Sequence, residues 1–408
     1  MLSGAIQQAL VQYREHMQQE LKNILQYWID HTMDEVNGGF YGRVGHNNQV
    51  HIQAPKGSVL NSRILWAFSA AYNLTGNNEY RQMAHRAYEY FTTHFIDTAY
   101  GGVYWSVDAT GYPLDTKKQT YATAFAVYAL SEYFKCSENP EAREEALALY
   151  QDIINHAYDP VDGGYFEAFA RDWTEMEDSR LSAKDANEKK SMNTHLHVLE
   201  AFANLYSIWP EETLQKDGEA QLAIFTKYII HPETHHLQLF FQEDWKVKSG
   251  TVSYGHDVEA AWLLQQAAEM INSENYSTTF KELAIKMVLA SKEGLDKDGG
   301  LWYEFEPLLN HSIRQKHSWP QAEAMIGFFN AWQITADAAY LQDSINAWEF
   351  TQQYIIDHKG GEWVWGVEAD YSIMSQEDKV GVWKCPYHNS RACIEIITRI
   401  DSILKQEL

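Results

Sequence analysis

The chain of 408 residues is 45% hydrophobic and 22% charged, the balance of a soluble globular protein, and it is long for one compact core, so two domains or one repetitive architecture are both open. Its formal net charge of -24, uninterrupted by any Lys/Arg cluster, repels phosphate backbones and anionic headgroups, so nucleic acid and membrane surfaces are not expected partners. Three cysteines, Cys136, Cys385 and Cys393, make no CxxC pair, which fits a reducing compartment and argues against a disulfide framework or a thiolate zinc site.

The first stretch, "MLSGAIQQALVQYREHMQQELKNILQYW", spaces its apolar residues as an amphipathic helix and lacks the continuous apolar run of a signal peptide or membrane span. A cytoplasmic protein is expected. Behind it one phrase recurs: "DEVNGGFYGRV" from Asp34, "DTAYGGVYWSV" from Asp97, "DPVDGGYFEAF" from Asp159, "DKDGGLWYEFE" from Asp296 and "DHKGGEWVWGV" from Asp357. Taking Gly38, Gly101, Gly163, Gly299 and Gly360 as first glycines, the spacing is 61 to 63 residues except for one gap of 136. That gap holds two units, and "HPETHHLQLFFQEDW" from His231 is the degenerate copy, its glycines lost near residue 235.

Each unit reads as a Gly-Gly turn, a short extended stretch and two helical segments, as in "GSVLNSRILWAFSAAYNLTG" followed by "NNEYRQMAHRAYEYFTTHFI". Six such units predict twelve helices in six hairpins. An open solenoid needs polar capping repeats, yet "RACIEIITRIDSIL" in the last unit is as apolar as the middle ones. The expected fold is therefore all-α, an (α/α)6 barrel over residues 1–408 as one catalytic domain, with short β-hairpin-like loops at one end. The first, more apolar helix of each pair lines the inside, and the starts of these inner helices converge.

Those starts carry, in chain order, Arg63, Tyr121, Asn193 with His197, His256 with Glu259, Trp319 with Gln321 and Glu323, and His388 with Arg391. Helix starts favour polar caps, so for Asn193, Tyr121 and Gln321 taken singly a structural role ranks ahead. His195, two residues from both Asn193 and His197, points off their shared face and reads as structural. His256 and Glu259 are three apart, so the carboxylate can hold the imidazole in one tautomer. Cys385 beside His388 reads as a packed thiol rather than a nucleophile.

No HExxH and no carboxylate cluster at ligand spacing is present, so no metal or cofactor is expected. An acidic helical barrel also suits a glycosidase, with Glu259, Asp257 and Glu323 as candidate carboxylates. That reading leaves unexplained the histidines opening the fourth and sixth inner helices. Two imidazoles facing one carbon suggest proton removal and return, which inverts a carbon next to an aldehyde through an enediolate, with Arg63 and His197 at the oxygen where charge develops. An acidic scaffold that only binds carbohydrate is the non-enzyme alternative.

Together "RLSAKDANEKKSMNTHLHVLEAFANLY", "VSYGHDVEAAWLL", "WPQAEAMIGF" and "VWKCPYHNSRACIEI" resemble the N-acylglucosamine 2-epimerase superfamily, most closely its cellobiose-epimerising branch, over nearly the whole chain. The resemblance implies an (α/α)6 barrel, no cofactor, and reversible epimerisation at carbon 2 of the reducing-end glucose of β-1,4-linked disaccharides, lactose and mannobiose included. By it His256 and His388 are the acid/base pair with Glu259 supporting His256, and Arg63 and His197 bind the enediolate. Tyr121, Asn193, Trp319 and Trp383 contact the sugar, Asp185 reaches the second ring, and Glu323 is counted with the binding residues though its role is open. The chain departs from the pattern at Ser318, where relatives usually have a tryptophan. Monosaccharide epimerases or isomerases of the same superfamily are the alternative, but they are expected to have a longer loop before the fourth inner helix than "FFQEDWKVKSGTVS". The expected partner is a small carbohydrate, bound by a monomer or homodimer.

Overall fold

The computed structural model describes residues 3–406. Among them are twelve α-helices: α1 (Gly4–Thr32), α2 (Ser58–Thr75), α3 (Asn78–His94), α4 (Thr120–Ser137), α5 (Pro140–Asp152) and α6 (Met192–Tyr206). The second half adds α7 (Glu212–Ile224), α8 (Tyr254–Met270), α9 (Glu274–Ser291), α10 (Ser318–Thr335), α11 (Ala338–Phe350) and α12 (His388–Gln406). None is long and apolar enough to cross a membrane.

The even-numbered helices are packed in sequence, and α12 returns to α2, so they close a ring: the expected (α/α)6 barrel. The inner helices α2, α4, α6, α8 and α10 are covered nearly all round by neighbours, α2 being buried without interruption from Ser58 to Ala71, while α12 is amphipathic and buries one side. Outer helices bury only a stripe, which in α3 includes Tyr80, Ala84, Ala87 and Phe91.

One expectation is corrected. Five hairpins are contiguous in sequence, but the sixth pair is made by the two ends of the chain, with α1 packed on α12. Leu10, Met17, Leu21 and Trp28 of α1 are fully or almost fully buried by this closure.

The Gly-Gly phrase forms a bridged turn in all six units, the fifth one residue shorter than the others. A single β-bridge closes each turn: Met33 with Phe40, Ile96 with Val103, Tyr158 with Tyr165, Ile230 with Leu237, Leu295 with Leu301, and Ile356 with Trp363. Gly38 and Gly39 take φ of 81° and 63°, the left-handed region where a Cβ is disfavoured. The degenerate fourth copy is confirmed, since His235 occupies the first-glycine position with φ 60°. In the last unit the register is one residue later than the glycine count implied: Gly361 and Glu362, not Gly360 and Gly361, hold the two left-handed positions.

Two residues before each of the inner helices α2, α4, α6, α8 and α10 form a short strand paired antiparallel to the next unit's hairpin, as Lys56 with Val107 and Lys190 with Phe241. In four of these strands the first residue is a buried lysine bonded to the aspartate of its own turn: Lys56 to Asp34, Lys118 to Asp97, Lys190 to Asp159 and Lys316 to Asp296, all within 2.9 Å. These ion pairs tie the turn of a unit to the strand that leads into its inner helix, before α2, α4, α6 and α10.

Candidate active site

Because the inner helices all start at the same end, their first turns enclose a cavity of about 440 Å³. Its wall takes Arg63 from α2, Tyr121 from α4, Asn193 and His197 from α6, His256 and Glu259 from α8, Trp319 from α10 and His388 from α12. Trp383 and Asp185 reach it from loops. The expected residues are thus brought together, with the exception of Glu323.

Trp319 packs against both expected bases, its ring centroid 4.7 Å from that of His256 and 5.6 Å from that of His388. Gly255 permits this: a Cβ there would sit 2.6 Å from the Trp319 ring. Arg63, 2% exposed, donates to the Tyr121 hydroxyl at 2.7 Å and lies 4.2 Å from the Phe125 ring centroid. Its Nε and the Asn193 Oδ1 are buried with no protein partner, so both retain hydrogen-bonding capacity.

The imidazoles are held differently. His256 Nδ1 is 2.8 Å from Ser253 Oγ, a hydroxyl otherwise expected to cap α8. His388 Nδ1 is 2.7 Å from Glu323 Oε1. Burial raises the Glu323 carboxyl, while Arg391 and Trp262, which both donate to it, favour its charged form. His197 Nδ1 is 2.8 Å from Glu200 Oε2. In each case Nδ1 is engaged and Nε2 is left for the cavity.

Burial pushes His256 down to about 4, partly offset by Glu259, and drives His388 well below the ordinary imidazole range. Both rings are therefore neutral near pH 7, the form that can accept a proton. Burial alone would raise Glu200, but Arg391 and the His197 hydrogen bond bring it down to about 2.

Two sequence expectations are corrected here. Glu259 does not hold His256; it accepts from Arg391 at 2.5 Å and lies 3.9 Å from His388 Nδ1, while Ser253 takes the place beside His256. Glu323 is not on the cavity wall but behind His388, fully buried, so it acts on the imidazole and not on a ligand. The structural readings of Gln321 and His195 hold. Gln321 brackets Leu301, accepting from its N–H at 2.7 Å and donating to its carbonyl at 2.9 Å. His195 accepts from the Tyr165 N–H at 2.9 Å and pairs with the Ser191 carbonyl at 2.7 Å.

Sequence reasoning missed Tyr303, His317, Trp363 and Trp365, which also line the cavity. The signal was present in "GGLWYEFE" and "GGEWVWGV": aromatic residues just past the Gly-Gly turn lie at the same end of the barrel as the helix starts. Cys385 is 5% exposed and lines the cavity, its sulfur 3.8 Å from Arg63 Nη1.

Glu259, Glu323 and His388 offer ligand atoms within 4.8 Å of one another, a geometry that could grip a cation. The Arg391 guanidinium already bonds both carboxylates at 2.5 and 2.6 Å, so a metal would have to displace a buried positive charge. The same contacts weigh against a glycosidase, whose two carboxylates must flank a scissile bond. Asp257, the third candidate, is spent on His236 and the Leu237 N–H, away from the cavity.

Residues 39–392 match the family model described as N-acylglucosamine 2-epimerase. A cellobiose 2-epimerase from Bacteroides fragilis is 46% identical over 385 residues, covering 94% of this chain and 98% of that protein. Among solved structures, a cellobiose 2-epimerase from Spirochaeta thermophila superposes with TM-score 0.92 at 35% identity, covering 98% of this chain and all of the other. One from Bacillus thermoamylovorans gives 0.90 at 38% identity, covering 95% and 99%.

Proposed function

The chain belongs to the N-acylglucosamine 2-epimerase family, and from that premise we propose that it epimerises carbon 2 of the reducing-end glucose of cellobiose and related β-1,4-linked disaccharides. The observation that carries the chemistry is the pair of neutral imidazoles, His256 and His388, lining one cavity, each in contact with Trp319 and each with Nδ1 engaged so that Nε2 is free.

One imidazole takes the proton from carbon 2 of the open-chain aldose, and the other returns a proton to the opposite face. The reverse reaction exchanges their roles. Negative charge developing on the enediolate oxygens is met by Arg63, a permanent cation, and by His197, held by Glu200. Glu259 and Glu323 act from behind His388. Tyr121, Asn193, Trp319 and Trp383 grip the reducing-end ring, and Asp185, on the loop beside the mouth, takes the second. The barrel works as one catalytic domain, and a single chain supplies every residue of the site, which supports activity as a monomer. Three buried free thiols support residence in a reducing cytoplasm.

The test is incubation with cellobiose, and separately with mannose, in deuterated water containing a chelator, following products by NMR. Glucosylmannose carrying deuterium at carbon 2 is the expected product. Conversion of mannose alone would reassign the protein to monosaccharides, and release of free glucose would make it a hydrolase.

A further inference from the structure

Arg391 was singled out as a polar group near the start of α12, yet it is not on the wall of the cavity above and the reaction does not use it. It is 1% exposed and surrounded by acceptors from three inner helices. One terminal nitrogen donates to Glu200 of α6 at 2.6 Å and also meets the Tyr387 hydroxyl. The other donates to Glu259 of α8 at 2.5 Å and Glu323 of α10 at 2.6 Å. Its plane is confined by aromatic rings, with Tyr387 at 4.3 Å and Trp262 at 4.9 Å from the guanidinium carbon.

Two of these carboxylates are the partners of cavity imidazoles. Glu200 holds Nδ1 of His197, and Glu323 holds Nδ1 of His388. Those histidines stand on different helices, α6 and α12, and no hydrogen bond joins them directly.

We propose that Arg391 is a positioning residue that ties His197 and His388 into one hydrogen-bonded unit, fixing the tautomer and orientation of both through Glu200 and Glu323. The proposal rests on the epimerase reading only for what the two histidines do, not for their linkage. Guanidinium is suited to the task because its planar fork donates in several fixed directions at once, which a lysine ammonium at the same place cannot reproduce. A cation needed only to neutralise three carboxylates could be either residue.

The test is Arg391→Lys, which keeps the charge and removes the fork. Expected is a fall in kcat of about 100-fold with KM within about threefold, the pattern of misplaced chemistry rather than lost binding. Turnover within about threefold of the parent would overturn the proposal. A second measurement needs no turnover: with histidine-selective 15N labelling in a Tyr387→Phe background, which removes the other bond from the ring beside His388 to Glu200, Glu200→Gln should still move the ring resonances of His388 through Arg391. Unmoved His388 resonances would overturn the linkage. If the parent protein epimerises no sugar while the His388 resonances still respond to Glu200→Gln, the functional reading falls and the linkage stands.

Discussion

Glu323→Gln should slow the enzyme far more than Ser253→Ala, although each removes the Nδ1 partner of one cavity imidazole. Glutamine keeps the shape of Glu323 but loses the charge that receives His388 at 2.7 Å, Arg391 at 2.6 Å and Trp262 at 3.0 Å. A hydrogen bond to a charged group contributes about 1.5–3 kcal/mol and a neutral one about 0.5–1.5 kcal/mol. If the loss falls on the transition state, Glu323→Gln costs about 13- to 160-fold in kcat and Ser253→Ala about 2- to 13-fold, at 1.36 kcal/mol per factor of ten. The assay is initial rates in both directions on the same disaccharide pair, with melting curves to confirm that each variant is folded. Because a catalyst cannot move the equilibrium, kcat/KM must fall by the same factor in each direction. A Ser253→Ala defect equal to or larger than that of Glu323→Gln would refute the assignment of His388 as the carboxylate-backed base.

Three further outcomes are expected. Gly255→Ala places a Cβ 2.6 Å from the Trp319 ring, so it should push that ring off the two imidazoles it packs against, destabilise the fold by about 1–3 kcal/mol and lower kcat/KM; both are read from melting and kinetics. Burial pushes Glu167 up to about 7, above its unfolded value, so its ionisation opposes folding and stability is lost as pH rises from about 4.5 through 7; Glu167→Gln should gain relative to the parent across that interval by up to about 3 kcal/mol, measured as the difference in unfolding free energy against pH. Lys190→Met leaves the Asp159 carboxylate buried beside the third turn without its cation, and chemical denaturation should show a loss of about 3–5 kcal/mol.

Much of this molecule was legible in its sequence because the repeat makes both periodicity and punctuation visible. Helical spacing marks the rings, and the rule that inner helices begin at one end places Arg63, Tyr121, His197, His256 and His388 together at one cavity. What stayed hidden was pairing across the barrel. Glu259 is three residues from His256, but its hydrogen-bond partner is Arg391, on the helix at the other end of the chain, and no local spacing announces that. The buried lysines escaped for the same reason: Lys56 bonds an aspartate 22 residues earlier, across an intervening turn through which no helical or strand period runs. The last turn was misplaced by one residue because Glu362 takes a left-handed conformation usually left to glycine. It does so with its carboxylate bound to Trp28, Lys384 and Asn389.

The seam between α1 and α12 has a consequence for the order in which the molecule can be made. Among the described helices α1 comes first, yet its buried side is covered by α12 and, at Tyr13 and Trp28, by Ser344 and Glu362, 331 and 334 positions later, so until those are made that side stays uncovered or is borrowed by a foreign surface. His388 stands at the first residue of α12, and so the same late event that shields the nascent chain also installs one of the two proposed bases. A stalled or shortened product would be sticky and inert together, and a chaperone that recognises the bare face of α1 would retain only those chains that cannot yet turn over sugar.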